Sequence, residues 1–197
     1  MANHRAITAV SEALSYLLQS QYDPADFDGH QLQFRVYVAK DFSQPMEAGV
    51  SVFLYRVYVN RVQRSPPGRL DLAGRRMRPQ LPVDLHFLMT AWAKDASLQH
   101  AITGWMMRVL EDTPILPAGL LNHKTPGVFH ADETAEVGVT DLTTEELFRI
   151  WEVIVNNAYQ ISIPYVVRGV KIESSRPLAQ LDPVQERAFD CGETAQP

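Results

Sequence analysis

The sequence has 197 residues, 46% of them hydrophobic, with a net charge of −5 and a pI near 5.6. That size suits one domain with or without a tail, and the acidic balance argues against a dedicated nucleic-acid binder. The single cysteine, Cys191, excludes an intramolecular disulfide, and no apolar run reaches the ~20 residues of a membrane helix.

The opening MANHRAITAV is polar and then amphipathic, unlike a secretory leader, so synthesis in the cytoplasm is expected. Ala6 to Gln19 predicts a helix: Ile7, Val10, Leu14, Leu17 and Leu18 form its stripe, and Asn3 is the candidate cap. Asp23-Pro24 and Asp28-Gly29 mark a loop. Gln31 to Ala39 alternates, with Leu32, Phe34, Val36 and Val38 on one side, and predicts a strand. AKDFSQPMEAG connects it to a second strand, Val50 to Val59. There Val52 and Leu54 are expected on one face, and Phe53, Tyr55 and Val57 on the other. Large side chains on both faces suggest a central strand, or one covered by a partner.

Arg61 to Gln80 differs in kind. RVQRSPPGRLDLAGRRMRPQ holds Arg61, Arg64, Arg69, Arg75, Arg76 and Arg78 against one acid, Asp71, for a net charge of +5. The rest of the chain therefore carries −10. A loop this long between two strands is uncommon in a compact domain. It reads either as a solvated hairpin loop or as an arm that docks on an acidic partner. Nucleic acid fits less well, because the arm has no aromatic residue for base stacking.

Leu81 to Thr113 is the centre of the chain. Val83, Leu85, Phe87, Met89 and Ala91 alternate with Asp84, His86, Leu88, Thr90 and Trp92, which predicts a strand. The period then changes. Leu98, Ala101, Ile102, Trp105, Met106, Val109 and Leu110 recur at helical spacing, with Asp95 or Ser97 as cap and Pro114 as stop. The helix is expected to fold back over the strand. Ile115 to Val139, which follows Pro114 and holds Pro117, Pro126 and Gly127, reads as mostly loop, with Leu120 and Leu121 tucking a short turn against the core. His123, His130, Asp132 and Glu133 match no metal-ligand spacing.

Thr143 and Glu146 have capping-box spacing, with Leu142 and Leu147 as a staple, and Leu147, Ile150, Trp151 and Ile154 follow at helical steps. Asn156-Asn157 turns the chain into a last strand, Tyr159 to Ile172, with Ile161, Ile163, Tyr165 and Val167 on one side. Pro164 lacks a donor and predicts an unpaired edge or a bulge there. From Ser174 the chain reads as an extended tail, in which PVQERAF could cross to a neighbour.

Together these elements predict an α/β (α+β) fold: a mixed, largely antiparallel sheet of four or more strands flanked by helices. The strands are 31–39, 50–59, 82–93 and 159–172; the helices are 5–20, 97–112 and 143–155. One domain, 1–175, carries the basic loop 61–80 and a tail, 176–197. Trp105 and Trp151 are expected in the core. No nucleophile–base pair, phosphate-binding glycine loop or dinucleotide motif is present, so no catalytic residue, cofactor or metal is assigned.

The block LPVDLHFLMTAWAKDASLQHAITGWMMRVLEDTPILPAGLL, followed by TTEELFRIWEVIVNNAYQISIPYVVRGVKIESS, resembles the tail-terminator or cap proteins of extracellular contractile injection systems. These phage-tail-like particles include the antifeeding prophage and the virulence-cassette particles. The likeness runs from the first helix to about Ser175 and leaves out the basic loop as a fixed motif. It implies a structural, non-enzymatic role: a homo-hexameric ring that closes the inner tube, contacts tube and sheath proteins, and leaves the cell on the particle. The alternatives are a baseplate or adaptor ring of the same particle, a nucleic-acid-binding module using the Arg61–Arg78 arm, and a small α/β enzyme.

Overall fold

The computed structural model describes residues 2–63, 69–70, 74, 76–154, 159–176 and 178. The chain opens on α1 (Ala6–Gln21). Its N-cap is Arg5, with no side-chain cap, and not the expected Asn3, which lies two residues earlier; there the Asn3 Oδ1 accepts the Arg5 N–H at 2.8 Å and its carbonyl accepts the Ala6 N–H at 3.0 Å. β1 (Gln33–Tyr37), β2 (Gly49–Val59), β3 (Arg69–Leu70), β4 (Arg76–Met77) and β5 (Leu81–Trp92) follow. Then come α2 (Ala96–Asp112), β6 (Ile115–Pro117), α3 (Ala118–Leu121), β7 (Thr134–Val139), α4 (Thr144–Ile154) and β8 (Ser162–Ile172).

Six strands form one sheet in the order β1-β2-β5-β8-β7-β6. Only β1 and β2 run parallel; the other neighbours are antiparallel. This is the mixed, largely antiparallel sheet that the alternation predicts. It also corrects the reading of 115–139 as mostly loop, since β6 and β7 lie there. β6 has three residues and ends on Pro117, so its period is too short to read.

β5 is the central strand, and each of its faces has its own core. Val83, Leu85, Phe87, Met89 and Ala91 point toward α1 and α2, where Leu14, Leu18, Ile102 and Met106 cover them. Leu88 and Trp92 point the other way, into a cluster with Tyr37, Phe42, Met46 and Trp151. That second cluster is built largely of rings in edge contact: Phe42 lies 5.6 Å from Trp151 and 5.2 Å from Phe53. Trp92 Nε1 donates to Ser51 Oγ at 2.8 Å, so its polar tip is satisfied inside.

α4 is held at its start by the predicted capping box. The Thr143 hydroxyl accepts the Glu146 N–H at 3.2 Å, and Glu146 Oε2 accepts the Thr143 N–H at 3.0 Å. The Thr143 N–H and the Thr143 hydroxyl, which donates to the same Oε2 at 2.9 Å, hold the Glu146 carboxyl below the usual range, and the field of Arg56 adds to them. Asp95 caps α2 by accepting the Leu98 N–H at 2.9 Å. The expected turn at Asn156-Asn157 lies outside the described residues.

Three details differ from the sequence reading. First, a register shift between Leu54 and Arg56 makes Tyr55 a bulge in β2. Val57 therefore pairs with Leu85 and returns to the face of Val52 and Leu54, not to that of Phe53. Second, β8 has its own shift: Val83 pairs with Val170 and Leu85 with Val167, leaving Arg168 and Gly169 opposite Asp84. Gly169 adopts φ +84°, which suits the bulge and would strain another residue. Third, Trp105 is only half-buried. It meets Phe27 at 5.6 Å and Phe34 at 5.8 Å, on the flank of α2 rather than beneath it. Trp151 is buried as expected, at 3% exposure.

Trp105→Ala should therefore destabilise by about 2 kcal/mol, less than the 3–5 of a fully buried aromatic. Urea unfolding checks this; a loss near 4 would mean that the flank is covered in solution.

Pro164 sits where its missing donor does no harm. The Thr140 N–H donates to the Pro164 carbonyl at 3.1 Å. Its nitrogen faces the same way, just past Val139, the last residue of β7 paired with β8.

Candidate assembly surfaces

The basic arm leaves the sheet between β2 and β5. At its base Asn60 Nδ2 donates to Asp84 Oδ2 at 3.1 Å, and Asn60 Oδ1 accepts the N–H groups of Val62 and Gln63 at 3.2 and 3.3 Å. Farther out the arm contains the short ladder β3–β4, with Arg69 opposite Met77 and Leu70 opposite Arg76. Of the arginines singled out, Arg61, Arg76 and Arg78 have exposed side chains. Arg69 is placed by its backbone alone. Arg64 and Arg75 lie outside the described residues.

The returning arm is tied to the end of β8. The Leu178 N–H donates to the Arg76 carbonyl at 2.8 Å, and Gln80 Nε2 donates to Glu173 Oε1 at 2.9 Å. The Glu173 N–H in turn donates to the Ala2 carbonyl at 2.8 Å. Sequence reading missed this convergence, because it joins positions nearly a hundred residues apart.

The bulges of β2 and β8 flank a polar stretch of the sheet. Tyr58, Asp84 and Arg168 lie on it, with Arg56 and His86 in the next row. The Arg56 guanidinium stands 4.3 Å over the Tyr58 ring, whose centre is 5.1 Å from that of His86. Burial pushes the His86 imidazole below its ordinary value; Asp84 opposes this, and Arg56 and Arg168 reinforce it. A histidine depressed in the folded state contributes stability above its unfolded pKa of about 6.5 that is lost as pH falls through the folded value. Urea midpoints measured from pH 7.5 to pH 5 should fall through that window, and His86→Gln should flatten the drop. An unchanged slope in the variant would assign the drop to other groups.

A second concavity lies between α1 and β1, an open groove of about 810 Å³ floored by Phe34, Val36 and Leu54. Two contacts across it join α1 to the residues after α3. Lys124 pairs with Glu12 at 3.0 Å, and His123 stacks on Tyr16 with ring centres 3.4 Å apart. His130, Asp132 and Glu133 lie on another loop, where the His130 N–H donates to Glu133 Oε2 at 2.8 Å. Among the described residues no group of three or more His, Cys, Asp or Glu side chains is placed to hold a metal ion. Among them also, no helix is long and apolar enough to cross a membrane.

The edges of the sheet are unevenly covered. β1 stops at Tyr37, opposite Phe53, so among the described residues the outer edge of β2 is unpaired from Leu54 onward. Val36 and Val38 are 41% and 53% exposed there, and Val57 and Val59 43% and 46%. At the far side β6 covers β7 only from Thr134 to Glu136, and Ile115 and Val139 are 57% and 53% exposed.

Two solved structures share this fold. One is the PVC sheath/tube terminator of an extracellular contractile injection system in its extended state. It superposes with a TM-score of 0.62 at 19% identity, over 95% of this chain and 64% of its own. The other is the anti-feeding prophage cap, the AFP tube-terminating cap, with a TM-score of 0.60 at 17% identity, over 91% of this chain and 59% of its own. This chain thus spans about three fifths of the length of those proteins. No curated protein matches the sequence. The family model of the Pvc16 N-terminal domain matches residues 9–186, which takes in the whole sheet and every helix described except the first turn of α1. The chain belongs to the Pvc16 N-terminal domain family.

Proposed function

We propose that this chain is a structural cap: a tail terminator that closes the end of the inner tube and contacts the sheath of a contractile, phage-tail-like injection particle. The observation that carries the reading is the family match over residues 9–186. The two structures of like fold, a sheath/tube terminator and a tube-terminating cap, support it.

In this reading the working form is a homo-hexameric ring, made in the cytoplasm and carried on the particle when it is released. A closed ring uses head-to-tail contacts, so each copy must present two unlike surfaces. Ring contacts weak in the free subunit are strengthened on the particle, where the tube end raises effective concentration. A reconstruction of the particle end tests the reading. Six copies beyond the last tube ring are expected; a three-fold or twelve-fold ring there, or density at the baseplate instead, would overturn it.

The basic arm is the proposed partner contact. Arginine makes bidentate bonds to carboxylates, and its planar group is weakly hydrated, so it suits an acidic tube end, sheath or neighbour. The triple variant Arg75→Glu, Arg76→Glu, Arg78→Glu should fold normally and yield particles with irregular or overlong tubes. Particles of normal length with full cap occupancy would show that these arginines are solvated.

A further inference from the structure

We infer that copies of this chain join edge to edge through the two unlike margins of the sheet, β1/β2 of one copy against β6/β7 of the next. The inference rests on the capping reading for the existence of self-association; the choice of surfaces comes from the strands.

Backbone direction is the first argument. The Gln33 N–H donates inward to the Ala48 carbonyl at 3.0 Å. By alternation the peptide groups of Phe34 and Val36 face outward, away from β2. The outward N–H of Val38 is already taken by Asp41 Oδ2 at 2.8 Å, which ends the usable edge there. On the far side the Val137 N–H donates to the Pro114 carbonyl at 2.8 Å, while the Thr140 N–H donates to Pro164. Val139 therefore points outward like Val137, but among the described residues no strand meets it beyond the start of β6. Each margin thus offers unpaired peptide groups beside exposed branched side chains, an arrangement that templates pairing with another chain.

Charge is the second argument, and it selects the occupant. The β1/β2 margin exposes Arg35, Lys40 and Arg56. The β6/β7 margin exposes Glu136 and Asp141, with Glu111 at the end of α2 leading into β6. Like margins would oppose like charges; unlike margins bring basic against acidic. The contact is therefore heterologous and repeats from copy to copy, as ring closure requires.

Single-cysteine variants Val36→Cys and Val139→Cys, each with Cys191→Ser, test this in assembled particles treated with a short bismaleimide. Expected are covalent dimers only where both variants are present together, and a ladder of higher species from the double variant. Adding Phe34→Pro on the same edge removes an outward donor and no β1–β2 hydrogen bond, and should abolish the ladder. Dimers from Val36→Cys alone would mean that like edges meet, and would overturn the inference. So would particles that carry the chain at their end yet give no cross-link from the double variant. If the chain is absent from the particle end but the concentrated double variant still forms the ladder, the capping reading fails and the edge contact stands. If neither occurs, the edge contact falls as well.

Discussion

Phe87→Ala is expected to cost about 3–5 kcal/mol, enough to leave a marginally stable domain partly unfolded at 37 °C. Phe87 lies at the middle of β5 with no exposed surface, beneath α1 and α2. Its neighbours belong to four different elements, among them Leu54 of β2 and Tyr165 of β8, its register partners on either side. Removing the ring leaves a void that two helices and three strands would have to close together, and such a layered site relaxes little. Chemical denaturation reads the loss directly. A change below about 1.5 kcal/mol would mean that α2 settles onto the sheet and that the core is softer than its packing implies.

Gly49→Ala should be nearly as damaging, by a different route. Gly49 has φ +140° and opens β2 directly opposite Gln33. A Cβ there would stand 1.9 Å from the Gln33 carbonyl oxygen and 2.6 Å from its nitrogen. No rotamer change relieves a clash with backbone, so β1 must move off β2. About 3–4 kcal/mol is expected from the strain and the lost ladder bonds. The variant also separates stability from assembly. If β1 is the edge through which copies meet, the folded fraction should still fail to cross-link through Val36→Cys. Hydrogen exchange at Arg35 and Tyr37, whose N–H groups face β2, should show β1 opening while β5 and β8 stay protected. Uniform loss of protection would place β1 in the global folding unit instead.

Most of the central architecture was legible in the chain. The period-two run of Leu81 to Trp92 and the change of period at α2 are local facts, set by the geometry of one strand and one helix. The capping box at Thr143 and Glu146 is likewise local, and it formed as read. The bulges were not legible. Tyr55 and Gly169 leave the register only because a partner strand offers one residue against two, so Val57 could not be assigned to its face from β2 alone. β6 and β7 were hidden for a related reason: TAEVGV with its glycine becomes a strand only beside β8, and the three residues ending in proline only beside β7.

The candidate surfaces divide in the same way. The six arginines of 61–80 are a matter of composition, visible without any fold, and their charge does not depend on where the chain goes. What the arm is tied to, and which strands stand at the margins, depend on strand order. By itself the sequence determined the four longer strands, the three long helices and the family likeness, because each follows from spacing along the chain. Only the tertiary structure decided that β1 runs parallel at one edge, that β6 ends the other, and that basic and acidic margins oppose each other across one sheet. Those outcomes are set by hydrogen bonds between residues far apart in sequence, and the free energy that selects them exists only once the whole sheet has closed around its two cores.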